Sequence, residues 1–172
     1  MKSAAERAET TERAYVVFVC TGNICRSPMA EYLFKRAIRN ADLAEEVMVR
    51  SCGLSGWHVG QSADVRAIAE LANVRLDARA HRAAQLGAEH QSADLFLALD
   101  KSHLRGLRAW GIPRGRIRLL RSFDPDSPKG AEVEDPYYCD AESFAQTRRE
   151  IEAAVPGLLH WVQELLESKS GR

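Results

Sequence analysis

Between Ala14 and Glu31 the chain passes from an apolar run through a short polar loop into a helix start, and few folds accommodate that succession. Tyr15 to Val19 is rich in β-branched and aromatic residues, the composition of a strand buried on both faces. Ser27-Pro28 reads as a helix N-cap followed by proline at the first helical position. Strand and helix are therefore joined by Cys20, Thr21, Gly22, Asn23, Ile24, Cys25 and Arg26. Gly22 and Asn23 tolerate positive φ, so the loop is expected to curl with its amides inward. Such a curl binds anions, and the adjoining helix N-terminus adds positive partial charge.

The two ends of the loop define its chemistry. Cys20 falls at the carboxyl end of the strand, where amide donors, the helix end and Arg26 favour thiolate over thiol. Arg26 offers a planar fork that matches two oxygens of a phosphoryl group. A nucleophile at the bottom of a phosphate-shaped cup points to covalent phosphoryl transfer. Ser27 is placed to hydrogen-bond the sulfur and assist its departure. Cys25 shares the loop, so oxidation of Cys20 to the sulfenic acid is expected to end in a reversible Cys20–Cys25 disulfide. A small buried side chain is the plainer reading of Cys25, and the two are compatible.

The remaining pattern completes an α/β protein. Helical spacing covers residues 28–38, with Met29, Leu33 and Ala37 on one apolar face. Val47-Met48-Val49 reads as a second strand, and residues 63–71 as a second helix capped by Ser62. Residues 93–99 form a third strand, 101–110 a third helix and 116–120 a fourth strand. Residues 122–134 are loop-like, carrying Pro125, Pro128 and Gly130. Residues 141–166 are helical, with Pro156-Gly157 expected to kink or split them. Strands alternating with helices imply right-handed crossovers and a parallel sheet covered on both faces. The 172 residues suit one domain over 14–168, flanked by tails at 1–13 and 169–172.

Composition excludes several functions. Basic and acidic residues balance at 24 each, giving no bulk attraction to nucleic acid or membrane. Residues 1–13 lack the apolar stretch of a signal peptide or anchor. The four cysteines lack zinc-ligand spacing, and a reducing cytoplasm is the expected compartment. His58, His90, His103 and His160 show no ligand spacing either, so neither metal nor cofactor is expected. A monomer is expected.

A second chemical feature is Asp135-Pro136-Tyr137-Tyr138. Cleaving an aryl phosphate ester leaves charge on the phenolic oxygen, which a carboxylic acid can protonate. Pro136 restricts Asp135 to an extended conformation and stiffens the loop. Alone, Asp-Pro is an ordinary turn; beside the loop at 20–27 it gains a catalytic reading.

The segment Cys20-Thr21-Gly22-Asn23-Ile24-Cys25-Arg26-Ser27-Pro28-Met29-Ala30-Glu31 resembles the phosphate loop of the low-molecular-weight protein-tyrosine phosphatases. Ser51-Cys52-Gly53, Gly56-Trp57-His58-Val59-Gly60, His81-Arg82-Ala83-Ala84-Gln85, Ala98-Leu99-Asp100 and Asp135-Pro136-Tyr137-Tyr138 extend the likeness toward a bacterial, mycobacterial-type branch. It spans about Tyr15 to Leu166. The resemblance implies four parallel strands in order 2-1-3-4, with the loop after strand one at a topological switch point. It implies Cys20 as nucleophile, Arg26 as phosphate clamp, Asp135 as general acid, and phosphotyrosine proteins as substrates. Glu134 and Asp140 occupy positions that are not catalytic in the family.

Further roles follow from the same likeness. Trp57, Tyr137 and Tyr138 would wall a deep cup, with Thr21 and Ile24 on its rim. Packing or a solvated loop is the plainer reading of each aromatic. Tyr137 and Tyr138 would also be targets of a kinase. Asn23 would hold a left-handed turn and bond Ser51 and His81, while His81 reads equally as a surface histidine. Asp100 reads as a cap of the third helix rather than a substrate contact. Two departures stand out: Cys52 replaces the usual Ala, and Cys139, a common Gly. Cys139 would then be a third redox thiol at the mouth.

Three alternatives share much of this pattern. An arsenate reductase needs a spaced downstream cysteine pair, and residues 53–138 hold no cysteine. A protein-arginine phosphatase carries Thr in place of Ile24 and lacks the twin tyrosines. A phosphotyrosine-binding module without turnover would not need nucleophile, Arg and acid together.

Overall fold

The computed structural model describes residues 13–171, so the expected N-terminal tail lies outside the described residues except for Arg13. Strand β1 (Ala14–Cys20) is buried at every position. Its even residues Ala14, Val16, Phe18 and Cys20 face one apolar cluster, and Tyr15, Val17 and Val19 face another. This alternation is the two-sided burial that its continuous apolar run requires. Helix α1 (Arg26–Asn40) returns the chain to β2 (Val47–Gly53), which pairs parallel with β1 from Ala14↔Val47 to Cys20↔Gly53. Helix α2 (Val65–Asn73) precedes β3 (Leu95–Ala98), parallel to β1 on its other side. Helix α3 (Lys101–Trp110) then leads to β4 (Ile117–Leu119). Helix α4 (Ala141–Lys169) closes the fold.

The sheet order is β2-β1-β3-β4, as expected. Helices α1, α2 and α4 cover the face that includes Phe18 and Phe34, whose rings meet edge-on at 5.8 Å. Leu107 of α3 packs on the opposite face with Val17, Val19 and Phe96. Because β1 sends α1 to one side and receives β3 on the other, the residues after Cys20 occupy the crevice where strand order reverses.

Local expectations needed three corrections. Helix α1 begins at Arg26 with Cys25 as its N-cap, so Ser27 lies inside the first turn and its hydroxyl turns to Cys20. Pro28 still falls among the first-turn positions that lack an intrahelical acceptor. Helix α2 is capped by Asp64, which accepts from Arg66 N at 2.8 Å, and not by Ser62. The third correction concerns α4, which is unbroken through Pro156 and reaches Lys169, where the Nζ meets Asp94 at 3.1 Å. Ile151, Ala154, Leu158 and Val162 are buried on both sides of the proline, and that packing outweighs the ~3 kcal/mol a mid-helix proline costs. Among the described residues, no helix is long and apolar enough to cross a membrane.

Candidate active site

Cys20, the last residue of β1, is 3 % exposed and lines a cleft of about 330 Å³. Thr21, Gly22, Ile24, Cys25 and Arg26 of the loop line it together with Trp57, His58, Asp135, Tyr137 and Tyr138. Among the described residues, no protein acceptor pairs with the backbone N–H groups of Thr21 through Ser27. Uncommitted backbone donors running from a strand end into a helix N-terminus make an anion site. Asn23 supplies the turn, at φ 58°. Gly22 does not share that conformation, contrary to expectation. Its need for glycine is steric, since a Cβ there would stand 2.8 Å from His58 Cδ2. Gly53 is constrained likewise from below, where a Cβ would meet Thr21 O at 2.7 Å.

A directed hydrogen-bond chain holds the loop. Ala84 N donates to Asn23 Oδ1 at 2.9 Å, which fixes the amide orientation. Asn23 Nδ2 therefore donates to Ser27 Oγ at 2.8 Å and Ser51 Oγ at 2.9 Å. Ser27 Oγ lies 2.9 Å from Cys20 Sγ, and once that sulfur is a thiolate only the hydroxyl can donate between them. Ser51 donates onward to Glu31, which is paired with Lys35. His81 is buried and not on the surface, and it donates Nε2–H to Asn23 O at 2.9 Å. Every member is satisfied, the condition under which a buried polar network rigidifies a site.

Arg26 is held from behind. Its Nη1 donates to Asp100 Oδ2 and Val133 O, both at 2.8 Å, while Nη2 lies 3.7 Å from Asp135 Oδ2. Burial opposes ionisation of Asp100, but hydrogen bonds from Ser102 and Arg26 outweigh it and hold the carboxyl at about 2. Asp100 also accepts from His103 N at 3.1 Å, so it caps α3, as expected, and aims the guanidinium as well. His103, 1 % exposed, accepts Asp100 N–H at Nδ1 and therefore presents Nε2–H to Thr21 Oγ1 at 2.9 Å. Burial, with the Arg26 charge behind it, depresses His103 to about 4, so the ring is neutral.

Asp135 is half-exposed and accepts from Tyr137 N at 3.1 Å. Tyr137 and Tyr138 meet edge-on at 4.8 Å, and Trp57 is 79 % exposed at the rim. Asp140 caps α4 instead of entering the cleft. The four cysteines are free thiols. Burial pushes the Cys25 and Cys52 thiols up. Cys52 belongs to the cluster on the far side of the sheet from Cys20.

The fold thus gathers Cys20, Arg26, Asp135, Trp57, Tyr137 and Tyr138 at one cleft, with Ser51 and His81 behind the loop. The residues missed by sequence reasoning are His58, Glu31, His103 and the second duty of Asp100. Only His103 had a local signal, the Asp100-x-x-His103 spacing of a reciprocal helix cap.

Comparison with known proteins agrees with this geometry. The family model "Low molecular weight phosphotyrosine protein phosphatase" matches residues 15–170. The low molecular weight protein-tyrosine phosphatase A of Mycobacterium tuberculosis is 51 % identical over 153 residues, covering 88 % of this chain and 93 % of that protein. A crystal structure of a protein tyrosine phosphatase from Entamoeba histolytica superposes with a TM-score of 0.82 at 28 % identity, covering 88 % of this chain and 97 % of the other. The arginine phosphatase YwlE superposes with a TM-score of 0.77 at 32 % identity, covering 87 % and 95 %. A family model matched over residues 15–170, 51 % identity to a relative across most of both chains and a shared overall fold place this protein, as an enzyme, in the low molecular weight phosphotyrosine protein phosphatase family.

Proposed function

We propose that the protein hydrolyses phosphotyrosine in proteins through a phosphocysteine intermediate, with Cys20, Arg26 and Asp135 as its catalytic residues. The observation that carries this reading is their convergence on one cleft, with uncommitted amides at the base and aromatic rings at the mouth. The phosphoryl group sits over Cys20, cradled by the amides of residues 21–27 and the Arg26 fork. The Cys20 thiolate attacks phosphorus, forming an S–P bond as the P–O bond to the phenolic oxygen breaks. Asp135 donates its proton to that oxygen, and tyrosine departs. The Asp135 carboxylate then takes a proton from water, whose oxygen attacks phosphorus. The S–P bond breaks, and the Ser27 proton stabilises the departing sulfur.

Trp57, Tyr137 and Tyr138 hold the aryl ring, and the depth of the cup favours a long, flat ester. The apolar Ile24 on the rim suits a ring better than a guanidinium, which favours phosphotyrosine over phosphoarginine. Under peroxide, Cys20 becomes a sulfenic acid that condenses with Cys25, releasing water and leaving a disulfide. The exposed Tyr138 is the more accessible target for a kinase. Free thiols throughout fit a monomeric enzyme of a reducing cytoplasm. Hydrolysis of phosphotyrosine and phosphoarginine peptides, assayed in chelator, tests the reading. Chelator-resistant, phosphotyrosine-selective turnover that is lost in Cys20→Ser supports it; preference for phosphoarginine, or turnover surviving in Cys20→Ser, overturns it.

A further inference from the structure

Arg66 lies outside the cleft lining, in the first turn of α2, yet it joins both loops of the site. Its Nε and Nη2 grip Asp64 Oδ1 and Oδ2 at 3.0 and 2.8 Å. Its Nη2 also donates to Tyr137 O at 2.8 Å, and its Nη1 to Cys139 O at 3.1 Å. The guanidinium is stacked on the Phe144 ring, 4.6 Å from the centroid, with the Tyr137 ring at 5.6 Å. Asp64, for its part, donates its backbone N–H to Ile24 O of the phosphate loop at 2.8 Å. A continuous set of bonds therefore runs from Ile24 through Asp64 and Arg66 to the segment carrying Asp135.

Beyond the Arg26 Nη2–Asp135 Oδ2 contact at 3.7 Å and the Asp140 cap of α4, that segment has few ties to the rest of the fold. Residues 134–140 belong to no helix or strand. Tyr137 N to Asp135 Oδ1 and Cys139 N to Pro136 O are bonds internal to the segment. Among the described residues, Arg66 is the only side chain from another element that binds its backbone carbonyls. A planar fork already fixed by a bidentate carboxylate can hold two carbonyls in a set geometry, which a lysine ammonium cannot.

We infer that Arg66 is a positioning residue that sets Asp135 over the phosphoryl cup, by clamping the carbonyls of Tyr137 and Cys139 to the same Asp64 that is bonded to the phosphate loop. The inference rests on Asp135 being the general acid. Its signature is a dependence on the leaving group. A misplaced acid penalises esters of basic phenols, which need the proton, and spares those of acidic phenols, which do not.

The test compares kcat/KM for phenyl phosphate and 4-nitrophenyl phosphate, with inhibition by inorganic phosphate as a probe of the cup. Arg66→Ala is expected to lose ~10-fold or more on phenyl phosphate and under ~3-fold on 4-nitrophenyl phosphate, the scale of loss from a misoriented catalytic group. Phosphate inhibition stays unchanged, and Arg66→Lys, which keeps charge without the fork, fails to restore phenyl phosphate turnover. Adding Arg66→Ala to Asp135→Asn costs nothing further, because both act through one group. An equal loss on the two esters, weakened phosphate inhibition, full rescue by lysine or additive losses in the double variant overturn the inference while leaving the general acid in place. An Asp135→Asn variant without leaving-group dependence overturns the acid assignment itself, and the clamp with it.

Discussion

Ser27 Oγ stands 2.9 Å from Cys20 Sγ and accepts from Asn23 Nδ2 at 2.8 Å, so whenever the sulfur carries negative charge the hydroxyl is the group that donates to it. This polarity makes Ser27 a donor to the sulfur as charge returns to it when the phosphocysteine breaks down. Ser27→Ala is expected to lower kcat by ~10²-fold, the scale for losing one donor to developing charge. The phosphoenzyme should accumulate, giving a burst of phenol in rapid-mixing experiments. Loss of kcat without a burst would mean that the hydroxyl serves the first step.

His103 carries a pH dependence of stability. Its folded value is about 4, against about 6.5 when unfolded. The unfolded chain therefore binds the extra proton first as pH falls. Stability from this group is complete above pH ~6.5 and lost progressively down to ~4, a total of ~3 kcal/mol. His103→Asn, whose amide keeps a donor and an acceptor but does not titrate, should show a flatter stability profile across that window. Urea unfolding at intervals from pH 7.5 to 4 measures it, and parallel curves for the two proteins would contradict the assignment.

Much of this site is legible in the order of residues along the chain. Strand β1, the loop, Arg26 and the Asp135-Pro136 turn are local patterns, and burial periodicity or backbone restriction exposes each. The interior links are not local. Thr21 meets His103 across 82 positions, and Asn23 meets Ser51 across 28, contacts that arise only when parallel strands bring separate loops to one edge. The α1 cap differs from its sequence expectation for a related reason. Ser27 has the composition of a cap, but its hydroxyl is claimed by Asn23 and Cys20, so the helix starts at Arg26. Asp100 reads as a cap and is one. Nothing near it in sequence reveals that its second oxygen, Oδ2, aims Arg26.

The Asp100–Arg26 pair should set phosphate affinity. Asp100→Asn removes the charge facing the buried guanidinium and leaves Val133 O as its firm anchor. Competitive inhibition by inorganic phosphate should weaken by ~10-fold, about 1.4 kcal/mol, as befits loss of one charge-assisted contact. Unchanged inhibition would show that the loop amides alone orient the anion.

The exposed ring of Trp57 should matter to the ester and not to the anion. Trp57→Ala is expected to raise KM for aryl phosphates by ~5- to 10-fold, the loss of one aromatic contact. Phosphate inhibition should not move. A KM that is unaltered would reduce Trp57 to a surface residue.

The most direct measurement is the site of phosphorylation in enzyme quenched during turnover of an aryl phosphate. Peptide mass spectrometry should find the phosphoryl group on Cys20 alone, in greater yield for Ser27→Ala and not at all for Cys20→Ser. A phosphoryl group on any other residue, or steady turnover by Cys20→Ser, would contradict the account.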